Sequence, residues 1–527
     1  MARPVRRHAR TIAAVTAALT LGALAVGTTA SSQVGTKTLV GGFDVGPGGT
    51  PGLFNPLTNT AGFTWLNKIY STLVLYDVNF QRVQGDLASS WRVTTDGLKY
   101  TFTLRPNLTW HDGKPLTSED VKFTLDLARN PEVGAIWQPR VESIRSVEAP
   151  NPATVVINLT RPNAALLDLL SQFMILPKHA LGSVAPKDIR TSTWFSTSPI
   201  GSGPFKWSKY VPDQYNELDA FPGYWRGRPK LDKLVNRYFK EAGSAVIALR
   251  KGDIHFTYLS GDEVRGVRGD ANVRVIAGPS QVLNYVGFNN SDPRFKDLRV
   301  RQAFMYAIDR KTISDQLYNG AAVVQNCLYF LPKYQPAGLE AFEYNPEKAK
   351  QLLSEAGWDR IKGAPIEFLT YYGDQLSSDV QVAMQQMLAK VGIDVRPRRV
   401  DVPTYNQITS GNDFALVFAG LGVGPDPDTA VVALDSNNIP PKGGNRMKVV
   451  NPNFDRLFAQ GQAETNTTKR NTVYQNICKE FNATLPWAPM WVAQRFGGVT
   501  KNVSGFVWTP APGGGRYNDQ AHLWTVR

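Results

Sequence analysis

The most constraining stretch of this chain is Ile366 to Val400. Ile366–Tyr371 carries the apolar content of a buried strand. Ser378–Val391 has helical spacing, and Ile393–Val400 alternates again. Strand, helix and strand in about 35 residues make a βαβ unit, whose two strands must lie parallel. Parallel strands need both faces covered, so this part of the chain requires a layered α/β architecture. Similar segments recur along the sequence. Tyr100–Leu104, Val155–Leu159, Arg237–Lys240 and Val282–Asn289 read as strands. Glu241–Arg250, Asp297–Asp309 and Pro346–Gly357 read as helices, the last with Pro at its start and Gly at its stop. Thr117 is a candidate N-cap, with Asp120 three residues on. Phe63–Asp77 passes from helical to extended spacing, and Gly41–Pro56, rich in Gly and Pro, reads as loop. At roughly 150 residues per domain, 527 residues suggest about three domains. The expected class is α/β with several lobes.

The N-terminus reads as an export signal. Four arginines lie within Met1–Arg10, Thr11–Val26 carries no charge, and Thr28-Thr29-Ala30 offers a cleavage site before Ser31. The apolar run is shorter than the roughly 20 residues of a membrane span. No cysteine follows it, so a lipoprotein anchor is not expected. The protein is expected outside the cytoplasmic membrane, periplasmic or extracellular, secreted and without a lipid anchor. Removal of the leader lowers the formal net charge of +14 by four. The remaining basic residues are scattered. Arg396, Arg398 and Arg399 form the densest group, too small for a nucleic-acid footprint. The five histidines are widely spaced, and no metal site or cofactor is expected. Cys327 and Cys478 could form a disulfide or remain two buried thiols, and export permits the bridge.

Hydrolase, zincin, Walker and dinucleotide-binding motifs do not occur. Gly201-Ser202-Gly203-Pro204 has the wrong spacing for a nucleophile turn. His111 is read as stabilising its turn, and Asp426-Pro427-Asp428 as an ordinary turn before a calcium loop. An enzyme is not expected.

Several segments together carry a resemblance. They are Leu87–Phe123 (LASSWRVTTDGLKYTFTLRPNLTWHDGKPLTSEDVKF), Gly201–Phe205 (GSGPF), Tyr224–Leu234 (YWRGRPKLDKL) and Ala248–Ile254 (ALRKGDI). Asn289–Arg310, Ala349–Trp358, Asn451–Asp455 and Leu485-Pro486 continue it in order. The chain resembles the extracellular solute-binding proteins of family 5, the peptide- and nickel-binding class of ABC importer components. The resemblance implies a bilobal clamp like that of periplasmic binding proteins: two α/β lobes with crossing strands, plus a third, smaller inserted lobe. It implies a leader at 1–30, and a first large lobe from 31–62 with 186–280 and 490–527. The inserted lobe would span 63–185 and the second large lobe 281–489. Glu241–Ile254 and Trp487–Val499 are the expected large-lobe connections.

The implied function is capture of a small solute by lobe closure and delivery to an ABC permease, by a monomer. An oligopeptide is the expected solute. The alternatives are an oligosaccharide within the same family or, from another class, a secreted hydrolase or a sensor outside transport. Peptide-binding members hold the ligand's α-amino group with an Asp, and by spacing Val423 occupies that position here. A second clamp of the class, an Arg before the Ser378 helix for the α-carboxylate, is lacking from Phe368–Ser378. Asp426 is the expected polar contact, with Val423 and Gly424 beside it, and Thr60, Phe63 and Tyr405 as further lining. Trp91, Tyr100 and Phe102 are expected in the core, and Arg299 and Arg301 in ion pairs with acids.

Overall fold

The computed structural model describes residues 36–44, 54–58, 63–507 and 520–527. An 11-stranded mixed sheet is built from strands between Thr38 and Thr500. Its order is Val395–Arg399, Ile366–Thr370, Leu416–Gly422, Val273–Phe288, Trp487–Thr500, Phe256–Leu259, Thr38–Asp44, Lys233–Phe239, Tyr215–Ala220 and Phe205–Val211. Ala322–Val324 adds to the Trp487–Thr500 strand outside this path.

Two strands dominate the middle. Val273–Phe288 and Trp487–Thr500 are antiparallel partners of 16 and 14 residues. Each belongs to both halves of the sheet. The expected connection at Trp487–Val499 is one of them. The expected connection at Glu241–Ile254 is not: Ala242–Lys251 is a helix packed on the Thr38–Asp44 and Phe256–Leu259 strands, closed by Gly252 at φ +82°. Val273–Phe288 supplies the second crossing instead. Only its last part was read from the sequence, because Gly278-Pro279 interrupts the alternation. The ladder accommodates that dipeptide by a register shift between Pro279 and Leu283.

The Ile366–Thr370 and Val395–Arg399 strands pair in parallel across the helix Gln375–Ala389, as their spacing requires. Gly41 and Gly42, read as loop, lie in the Thr38–Asp44 strand. A Cβ on Gly42 would lie 2.4 Å from the Ile254 side chain, so glycine here permits close packing.

A second, four-stranded antiparallel sheet is made by residues 88–159. Its inward residues, among them Tyr100 and Phe102, share one continuous core with Leu39, Phe205, Leu234 and Val499 of the large sheet. Trp91 packs on that core half-buried. Two further cores fill the other half, one around Phe288, Phe304 and Trp491 and one around Tyr474, Phe481 and Trp487. Cys327 and Cys478 form a disulfide within the latter, their Cα atoms 5.4 Å apart. Arg299 pairs with Asp297 as expected. Arg301 makes no ion pair with an acid among the described residues, though the Asp297 charge acts on it. Its guanidinium bonds the carbonyls of Phe295, Lys296, Thr484 and Leu485 and staples the start of one crossing strand to a helix.

Candidate ligand cleft

Strand direction locates the cleft. In one half, Thr38–Asp44 runs parallel to Lys233–Phe239 and Phe256–Leu259. In the other, Ile366–Thr370 runs parallel to Leu416–Gly422. Gly422 pairs with Val282, while Leu259 pairs with Phe496, itself the partner of Ala277. The carboxyl ends of both parallel sets therefore meet along Ala277–Val282 of the crossing strand. Open α/β sheets bind ligands at such ends.

Gln281 stands at this meeting point with a left-handed backbone, φ +56°. Its carbonyl accepts the Val423 N–H at 2.9 Å. Its side chain is buried, and Nε2 has no hydrogen-bond partner. The facing half repeats the pattern. Phe43 stacks on Trp65 at 5.0 Å, and Trp65 meets Tyr238 at 5.4 Å. The Trp65 Nε1 and the Tyr238 hydroxyl are likewise buried without partners. A buried orphan donor costs about 1–3 kcal/mol. Three of them near the strand ends suit a ligand that brings acceptors.

Tyr371 and Tyr372 follow the Ile366–Thr370 strand directly. The Tyr371 hydroxyl accepts the Gly420 N–H at 3.3 Å, and the Tyr372 hydroxyl donates to Asn284 Oδ1 at 3.0 Å. A Cβ on Gly420 would fall 2.3 Å from the Tyr372 hydroxyl, so this strand end requires glycine. Ladder pairing between the two strands stops at Thr370 and Phe418. Beyond that point Ala419 is buried and the Tyr371 hydroxyl takes the Gly420 N–H, while Leu421 is half-buried and Gly422 exposed.

The loop Leu421–Asp428, expected to read the ligand, follows this strand end, and its side chains have partners within the fold. Val423 is buried and Gly424 half-buried. Asp426 was expected free for a ligand. Both its oxygens instead meet the Arg470 guanidinium, at 2.8 and 2.9 Å, and Oδ1 also accepts the Asp428 N–H. Burial raises the Asp426 carboxyl, but the Arg470 charge outweighs it and holds the group below the usual range. Asp428 accepts from the Tyr474 hydroxyl and Gln462, while burial and the Asp426 charge push it up to about 6. Tyr405, on the helix Val402–Ser410, is 4% exposed and meets Tyr371 edge-on at 4.8 Å. It backs a cleft ring and does not face solvent. Phe63 opens the helix Phe63–Ile69, with its side chain outside the described residues, as is Thr60. Arg470, Gln281 and the Tyr371–Tyr372 pair escaped the sequence reading. Only the pair carried a signal there, two aromatics at the carboxyl end of a βαβ strand.

A cavity of about 500 Å³ lies beside the loop, between Asp426, Asp428 and Gln462 on one side and Arg140, Arg161 and Asn163 on the other. His111 belongs to neither site. Its Nδ1 accepts the Gly201 N–H at 3.1 Å and its Nε2 donates to the Gly203 carbonyl at 3.0 Å. Burial holds it neutral, with its pKa lowered to about 4. It ties the Trp110–Gly113 turn to the Gly201–Pro204 turn, as expected of a structural residue.

The family model of the bacterial extracellular solute-binding proteins, family 5, matches residues 82–440. A protein of Brucella melitensis named as an ABC transporter peptide-binding protein is 48% identical over 503 residues, 94% of this chain and 95% of its own. The oligopeptide-binding protein AppA of Bacillus subtilis is 29% identical over 88% of this chain and 89% of its own. Its structure with a nonapeptide superposes with a TM-score of 0.78, at 27% identity, over 93% of this chain and 99% of that one. The ABC transporter substrate-binding protein CtaP of Listeria monocytogenes gives 0.83 at 25% identity over the same shares. The chain belongs to the family 5 extracellular solute-binding proteins, a three-lobed α/β fold. It is the solute-binding component of an ABC importer and not an enzyme.

Proposed function

We propose that this protein captures an oligopeptide in the cleft between its large lobes, chiefly by its backbone, and delivers it to a membrane permease. The observation that carries this is the strand end at Leu421–Gly422, beyond its last pairing with Ile366–Thr370, at the meeting of strand ends where the Gln281 amide has no partner. An extended peptide can add to such an edge through main-chain hydrogen bonds, while side chains find separate pockets. Neither loop carboxylate is available for an α-amino group, since Asp426 is held by Arg470 and Asp428 by Tyr474 and Gln462. The peptide-binding names of the relatives support the ligand class. The lobes follow the division given above, with 1–30 removed on export and no lipid anchor, and the protein works as a monomer.

Calorimetric titration tests the reading with a free oligopeptide, its N-acetylated form and an oligosaccharide. Both peptides should bind, with affinities within about threefold, less than 1 kcal/mol. Binding of the oligosaccharide alone overturns the proposal. A large loss on acetylation overturns its backbone-reading part.

A further inference from the structure

A second cavity, of about 540 Å³, opens at the far end of the crossing strands. Asn290 follows the Val273–Phe288 strand, and Pro486 precedes the Trp487–Thr500 strand. Eight residue steps, most of them in the strand, take the chain from Val282 at the cleft to Asn290, roughly 25 Å at the rise of an extended chain. The pocket is therefore distinct from the ligand cleft.

Its charge is one-sided. Lys296, Arg301 and Lys448 line it, and no acid does among the described residues. The cavity beside the cleft, by contrast, has four acids in its wall. Lys448 is buried, held by left-handed backbone at φ +55°, and its ammonium donates to the Ser410 carbonyl at 3.1 Å. Arg301 is spent on four main-chain carbonyls, which orient it without neutralising it. Burial draws its pKa down to about 10, so it stays a cation at neutral pH. Asp297, whose charge also acts on Arg301, is paired with Arg299, and Glu480 accepts from the Asn451 and Asn453 amides. A cavity wall that carries three cations and no acid favours an anion in the space between them. Three cations with hydroxyl and amide neighbours suit an anion with several acceptor oxygens.

We propose that this pocket binds a phosphate group. The chemistry is shared by free phosphate and by the headgroup of an anionic lipid, and exposed Val450 on the rim is compatible with either. The test titrates the intact exported protein with inorganic phosphate at constant ionic strength, and in parallel with vesicles of phosphatidylglycerol or phosphatidylcholine. Saturable binding is expected to phosphate, to phosphatidylglycerol, or to both, and not to phosphatidylcholine. Which of the two binds identifies the source. Lys296→Gln, at an exposed position, and Lys448→Gln should each weaken it by about tenfold, a change of 1.4 kcal/mol. Peptide affinity in Lys296→Gln should be unchanged. Absence of binding to both phosphate and phosphatidylglycerol overturns the proposal. So does binding that both variants leave intact.

Discussion

Asp426 has its charge partner inside the fold. It lies beside the cleft, yet its carboxylate is closed by Arg470, 44 positions later in the chain. Nothing local in the sequence signals that pair. Breaking a buried ion pair from one side costs about 3–5 kcal/mol, because the other charge stays buried. Asp426→Asn should therefore lower the unfolding free energy by several kcal/mol in denaturant titration. Peptide affinity should stay within about threefold. A stable variant with lost affinity would return Asp426 to the ligand. Asp428 makes a pH-dependent case. Its folded pKa, about 6, stands above the ordinary carboxylate value of 3.8, so the native state holds this proton more tightly than the unfolded chain does. The group thus stabilises the fold at low pH, and this contribution is lost as pH rises through that window. Asp428→Asn cannot titrate. Its stability relative to the parent should improve as pH rises from about 4 to about 6, and a flat difference would contradict the assignment.

At the scale of elements, legibility followed periodicity. The Ile366–Val400 unit was readable because strand and helix alternate cleanly there and Gln375–Ala389 has the length of an ordinary helix. The Thr38–Asp44 strand was hidden by two glycines that serve close packing, and the long crossing strand by Gly278-Pro279 at a register shift. Sequence spacing reads Leu421–Asp428 as a loop but could not assign its side chains, since Val423 meets Gln281, and Asp426 meets Arg470, only in the folded chain. The disulfide was open in the sequence for the same reason. It joins Cys327, after the Ala322–Val324 strand, to Cys478 on the helix Thr467–Thr484, with a separation of 151 residues. Closing so long a loop limits the unfolded chain, and removal typically costs about 2–5 kcal/mol. The double variant Cys327→Ala with Cys478→Ala should lose stability of that order in denaturant unfolding under non-reducing conditions. No loss would show that the surrounding core suffices without the bridge.

The whole molecule is organised by its two crossing strands. The inserted sheet shares its core with the first half, so these parts are expected to move together. The second half has cores of its own. Ligand can shift an open–closed balance only through its stronger contacts in the closed form. Small-angle scattering should therefore show a smaller radius of gyration with saturating peptide than without it. An unchanged radius, with binding verified, would remove the hinge from the mechanism. The family match settles the class of protein, while the solute must be read from the cleft. Orphan donors, a strand end exposed at Gly422 and engaged loop acids together suit backbone carbonyls and amides. The most direct test is mass spectrometry of the small molecules released from the protein purified in its native, ligand-carrying state. The expected result is a set of peptides of varied sequence. A single oligosaccharide or a nickel chelate in their place would contradict peptide capture.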